Sequence, residues 1–158
     1  MIITYSRDRR VVDGVALANR LLKDERFISH IASHYTFDMC DMSPSALIAY
    51  IQRHLESNVI EVGTFKPFNP WSRAMAMFNP SEPDDVFISS RKLQRHPVKL
   101  DQDASIAGSI WHEIIHLINN KLAMFTIGHG NNNPEGKQWT APYQIGREAK
   151  QFAQREYR

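Results

Sequence analysis

The sequence predicts an α+β domain, and three observations carry that expectation. Apolar residues recur at helical spacing in the first third of the chain and again in its last third. Between them the pattern changes to short runs rich in β-branched residues, interrupted by proline. The length, 158 residues, suits one domain around one core. The whole chain, 1–158, therefore reads as a single domain, with a helical N-terminal part over 1–58 and the strands and two further helices over 59–158.

The first helix is expected from about Gly14 to Lys23. Val15, Ala16, Leu17, Leu21 and Leu22 form its apolar face, and Asp13 is placed to cap it. Residues 27–42 mix aromatic, histidine and short polar residues without a readable period. Ser43-Pro44 marks a second helix start. Serine can accept from the free N–H groups of the first turn, and proline fits the first helical position. Leu47, Tyr50, Ile51, His54 and Leu55 follow at helical spacing. After Asn58, the run Val59 to Phe65 predicts a strand. Arg73 to Phe78 and Val86 to Ser90 predict two more, as a connected pair around a loop rich in proline and aspartate. Val86–Ser90 is also expected to offer its edge to an extended peptide. A third helix is expected from Asp101–Ser105 to about Asn120, then a loop rich in glycine and asparagine, then a last helix from about Pro142 to Arg155.

Composition narrows the function classes. Hydrophobic residues make up 42% and charged residues 23%, as in ordinary globular proteins. Nineteen basic and 17 acidic residues leave a net charge of +2, too balanced to argue for nucleic acid or membrane binding. Cys40 is the only cysteine, so an internal disulfide and a four-cysteine zinc site are both excluded. The opening MIITYSRDRRVVDG lacks the charged-then-apolar pattern of a signal peptide, and no apolar run is long enough to span a bilayer. A cytoplasmic protein is the default expectation, with signal-less export left open. Oligomeric state is not readable.

The chemistry concentrates in His112-Glu113-Ile114-Ile115-His116. Histidines four residues apart lie about 40° apart around a helix, one turn above the other. Two such imidazoles can reach one ion at about 2.0–2.1 Å each. Glu113 lies beside them, too far round to be an obvious ligand but within reach of a water on the ion. On a helical wheel of residues 105–120, Ile106, Ala107, Ile110, Trp111, Ile114, Ile115, Leu117 and Ile118 fill one apolar arc. Ser105, Gly108, Ser109, His112, Glu113, His116, Asn119 and Asn120 fill the other. Small residues beside the histidines leave room for a metal and a substrate. His30 and His34 share the same spacing, with Asp38, Cys40 and Asp41 nearby. They lack the intervening glutamate and read as partly exposed structural histidines.

His112-Glu113-x-x-His116 on a helix resembles the signature of the zincin metallopeptidases. The resemblance implies a compact zincin-like fold, with a small antiparallel or mixed sheet packed on the helix that carries the motif. It implies zinc held by His112, His116 and a third, downstream ligand, with Glu113 as general base for hydrolysis of a peptide or protein substrate. More broadly, residues 85–146 are similar to small bacterial and phage metallopeptidases, in which a strand precedes HExxH and Gly-His-Gly and Pro-Tyr-x-Ile-Gly segments follow. Here those are Val86–Ser90, Gly128-His129-Gly130 and Pro142-Tyr143-Gln144-Ile145-Gly146.

A third ligand has few sources, because no aspartate follows Asp103. His129 is the expected one. It is the only histidine after His116, and the flanking glycines let the backbone come close to a metal. In this element the chain resembles the SprT-like proteases. It departs from the metzincin pattern, since the sixth residue after His116 is Leu122 rather than histidine. Glu148, on a predicted helix, is the alternative, ahead of Glu135 and Glu156. Tyr143 is the expected second donor to the oxyanion, with Arg147 as another candidate. Two other readings stand beside the peptidase: a zinc hydrolase of a non-peptide amide or ester, and a zinc-binding protein without catalysis.

Overall fold

The computed structural model of the chain describes residues 1–66, 76–78, 81, 84–94, 99–122, 127 and 137–157. Among the described residues there are five α-helices and a four-stranded sheet: β1 (Ile2–Ile3), α1 (Arg9–Lys23), α2 (Glu25–His34), α3 (Pro44–Ser57), β2 (Ile60–Phe65), β3 (Ala76–Phe78), β4 (Asp85–Ser89), α4 (Lys99–Lys121) and α5 (Ala141–Glu156). The α+β class is as expected.

Helix α1 starts before Gly14. Its cap is Asp8, whose carboxylate accepts from the backbone N–H of Arg10 at 3.0 Å. Asp13 lies inside the helix, bound to Arg9 one turn back at 3.0 Å and to Lys99 at 2.7 Å. The first turn of the helix, Arg9 to Val12, buries only Val11, so its helical pattern is short of apolar positions at the start. Val11, Val15, Ala18 and Leu21 bury the inner face.

The unreadable stretch 27–42 contains most of α2. Asp24 joins it to α1: its N–H donates to the Leu21 carbonyl at 3.1 Å, and its side chain accepts from Arg26 N–H at 3.0 Å. Helix α3 starts where Ser43-Pro44 predicts, with Ser43 Oγ accepting from Ala46 N–H at 3.2 Å.

The strand order is β1-β2-β4-β3. β1, β2 and β4 run parallel, with Ile2 opposite Ile60 and Val62 opposite Val86. β3 is antiparallel to β4, with Met77 opposite Phe87, so the predicted pair exists within a mixed sheet. Ile60, Val62, Val86 and Ile88 are fully buried beneath the helices. One expectation is overturned here. β4 is hydrogen-bonded to β2 on one side and β3 on the other, so Val86–Ser89 has no edge to offer a peptide. Its flanking runs were long enough to read as strands, but their order across the sheet leaves no mark in sequence.

Helix α4 is the axis of the fold. It packs against α1, α5, β3 and β4. The apolar arc is buried as predicted, and Ile106, Ile110, Trp111, Ile114, Ile115 and Ile118 are fully enclosed. Each such side chain contributes roughly 1.5–3 kcal/mol by burial. The other arc is not an exposed face. Ser105, Gly108 and Glu113 are buried too, because α5 and β3 cover that side. Phe27 meets Trp111 and Phe152 edge to face, at 5.3 Å and 5.4 Å between ring centres, tying α2 and α5 to the axis. Among the described residues, no helix is long and apolar enough to cross a membrane.

Candidate metal centre

One turn of α4 separates His112 from His116, and their Nε2 atoms lie 3.2 Å apart. The rings are 5.0 Å apart and inclined by 65°, with their Nε2 atoms in contact. Two ligands held at about 2.05 Å from a tetrahedral ion stand about 3.3 Å apart. The separation of the pair is compatible with two adjacent ligands of one tetrahedral ion.

His112 is oriented from α5. The Tyr143 ring meets it edge to face at 4.7 Å and 89°. Gly146, one turn on, lets α5 come close: a Cβ built there would lie 3.0 Å from His112 Cβ. Tyr143 thus stands against the His112 ring, on the helix that Pro142 helps to start.

Glu113 is 8% exposed, between α4 and β3. The backbone N–H of Phe78 donates to its carboxylate, fixing it toward the edge of the sheet. Burial pushes its pKa up to about 7, while the Phe78 N–H and the nearby Lys92 charge oppose the rise. Lys92, on the turn after β4, is lowered to about 8 by burial and by the like charge of Lys150, with Glu113 opposing.

These groups line a cleft of about 430 Å³ bounded by Ala76 of β3, Lys92, Ser105, Ser109, His112 and Glu113 of α4, and Tyr143, Arg147 and Lys150 of α5. Ser105, Gly108 and Ser109 are the small residues of its lining. Lys92 and Lys150 are missing from the sequence reading. Lys150 could have been found, since Tyr143, Arg147 and Lys150 repeat at helical spacing on α5. Lys92 comes from a short turn twenty residues before His112, and nothing in its neighbours signals the approach.

His129, the expected third ligand, lies outside the described residues, as does Glu135. The alternatives that are described face elsewhere. The Glu148 carboxylate accepts from the Tyr35 hydroxyl at 2.7 Å and Arg155 Nη2 at 3.3 Å, and lies 3.5 Å from His30 Nε2. Glu156 pairs with Arg26 at 3.0 Å and Arg155 at 3.1 Å. Among the described residues, no group of three or more His, Cys, Asp or Glu side chains is placed to share an ion. His30 and His34 stack at 4.7 Å on α2, and His34 Nδ1 lies 2.8 Å from Ser33 Oγ. With Asp38, Trp139 and Arg147 they border a second hollow.

Comparison with family models, with curated proteins and with solved structures gave no match.

Proposed function

We propose that this chain is a zinc-dependent metallohydrolase that cleaves peptide bonds, with His112 and His116 as metal ligands and Glu113 as general base. The observation that carries the reading is the 3.2 Å approach of the two Nε2 atoms, with Glu113 buried in the wall of the cleft that His112 also lines. His129 remains the proposed third ligand, since Glu148 and Glu156 are engaged with other partners. Peptide as the substrate class rests on the resemblance of the motif to zincins.

Zinc in such a site supplies a Lewis acid and brings a water toward ionisation near neutral pH. The protein's own groups do the rest. Glu113 removes a proton as the water oxygen bonds to the carbonyl carbon. Its carboxyl is buried in the cleft wall, where burial favours the protonated form and so eases return of the proton. When the carbon–nitrogen bond breaks, Glu113 returns that proton to the leaving amine. Tyr143 holds the His112 ring by its edge-to-face contact and offers its hydroxyl to the developing oxyanion. Ser105 and Ser109 keep the lining beside His112 small, which leaves space for the substrate backbone.

The test is metal analysis of wild type beside Glu113→Gln, with both assayed on an unfolded protein. The expected result is about one zinc in each and cleavage by wild type alone. Absence of zinc from wild type overturns the proposal. Zinc with ester or non-peptide amide hydrolysis, and no proteolysis, moves the substrate class. Zinc with no hydrolysis leaves a binding protein.

A further inference from the structure

The charge lining the cleft is one-sided. Lys92, Arg147 and Lys150 border it, and Glu113 is the single acidic side chain among its described lining residues. Elsewhere, cations drawn close together meet carboxylates. Lys99 is bound by Asp13 at 2.7 Å and Asp103 at 2.9 Å, and Arg155 by Glu156 at 3.1 Å and Glu148 at 3.3 Å. In the cleft, none of the three cations has a carboxylate within 4.0 Å among the described residues. Lys92 and Lys150 are also close enough to repel one another.

The three arrive from two elements. Arg147 and Lys150 stand three residues apart on α5, one turn beyond Tyr143, and Lys92 comes from the turn between β4 and α4. The cations therefore border the space beside His112 and Glu113, with Arg147 standing between it and the second hollow. Concentrated positive charge in a partly enclosed cleft raises the local concentration of anions and makes ion pairs there stronger than on open surface.

We infer that this cleft takes an acidic peptide, with aspartate or glutamate side chains flanking the scissile bond held by Lys92, Arg147 and Lys150. The inference rests on the hydrolase reading for the scissile bond, and on the charge pattern alone for the acidic flanks. An acidic flank relieves the repulsion between Lys92 and Lys150. A basic flank adds to it, so the cleft both attracts one class and repels the other.

The experiment uses the full chain and three internally quenched peptides of one backbone sequence, flanked by aspartate and glutamate, by asparagine and glutamine, or by lysine and arginine. Wild type should cleave the acidic peptide with kcat/KM roughly tenfold above the neutral one and further above the basic one, a preference that shrinks with added salt. Arg147→Gln and Lys150→Gln should each lower the acidic preference severalfold, mainly through KM. Arg53→Gln, on α3 outside the cleft, should leave it unchanged. In parallel, fluorescence anisotropy measures binding of the same peptides to Glu113→Gln. Equal cleavage of the three, or preference for the basic peptide, overturns the inference while leaving the hydrolase reading intact. No cleavage of any peptide, with the acidic one still bound more tightly and released by Lys150→Gln in the Glu113→Gln background, overturns the hydrolase reading and keeps the acidic-ligand cleft. No cleavage with charge-independent binding overturns both.

Discussion

A Cβ added to Gly108 would lie 2.5 Å from the carbonyl oxygen of Gly146, and one added to Gly146 would lie 2.7 Å from the carbonyl of Gly108. The two glycines face each other at the crossing of α4 and α5. Their missing side chains set the distance between the helix that carries the histidines and the helix that carries Tyr143, Arg147 and Lys150. The cleft is in effect the space beside this crossing.

Gly108→Ala should therefore destabilise the protein and weaken the site together. Alanine improves helix propensity by about 1 kcal/mol, which alone would stabilise α4. The clash is with a backbone oxygen that no rotamer change can move, and overpacking of this kind costs roughly 1–3 kcal/mol. Denaturant unfolding should show a net loss, and zinc affinity should fall as Tyr143 is pushed off His112. Gly63→Ala, whose added Cβ meets only the Phe87 ring at 3.1 Å, should cost less and leave zinc affinity unchanged.

Tyr143 has two separable contributions. Tyr143→Phe keeps the ring against His112 and removes the hydroxyl. It should retain zinc and lose about 10²-fold in kcat, the usual effect of removing one oxyanion donor. Tyr143→Ala also removes the edge-to-face contact at 4.7 Å. Loss of such an orienting neighbour should lower zinc affinity by roughly tenfold more than Tyr143→Phe does. Zinc titration and steady-state kinetics on the two variants distinguish these effects. Equal zinc affinity in both would remove the orienting role.

Much of this site is legible in sequence because its parts are local. The four-residue spacing of His112 and His116 requires only that the segment be helical, and the isoleucines and Trp111 on the opposite arc ensure that. Ser43-Pro44 is legible for the same reason: a cap acts within one turn. What depends on distant neighbours is not. Gly108 reads as a small residue that leaves room beside the histidines, yet its missing side chain is what admits α5, so smallness here signals a helix contact. β1 has only two residues, too few to show alternation, and it exists because Ile2 and Ile3 pair with Ile60 and Glu61. The start of α1 is hidden because its first turn buries only Val11 and because both Asp8 and Asp13 are plausible caps by type. Lys92 reaches the cleft through sheet order, which has no sequence period at all.

The third ligand can be assigned by difference. His129→Ala should lose zinc, while Glu148→Gln should keep it. Glu148 already accepts from Tyr35 at 2.7 Å, so its replacement acts on stability instead. The Tyr35 hydroxyl and Arg155 would lose their charged acceptor in a site that is 4% exposed, at a cost of roughly 1–3 kcal/mol. Metal content by elemental analysis and urea unfolding of the two variants test this directly. Zinc lost on Glu148→Gln but kept on His129→Ala would transfer the ligand role to Glu148.

Acid stability should depend on Asp24, the residue that ends α1 and caps α2. The Arg26 guanidinium holds its carboxyl well below the ordinary value of 3.8, with the Tyr157 hydroxyl at 2.7 Å and the Arg26 backbone N–H acting in the same direction and burial opposing. A carboxylate whose folded pKa is depressed contributes stability that is present above its unfolded pKa and lost as pH falls through the range between the two. Asp24→Asn keeps an oxygen for the cap but not the charge. It should be less stable than wild type at pH 7, where the ionised form is favoured in both states, by about 1 kcal/mol. The difference should narrow steadily below about pH 4, as wild type itself becomes protonated on unfolding. Urea unfolding of the two proteins at pH 7, 4 and 2.5 measures it. A gap that stays constant across that range would show that the cap acts through hydrogen bonding alone, with the Arg26 ion pair contributing nothing. A gap that closes assigns the charge of Asp24 the task of holding α1 and α2 at their junction, from which Phe27 reaches Trp111 beside the histidines.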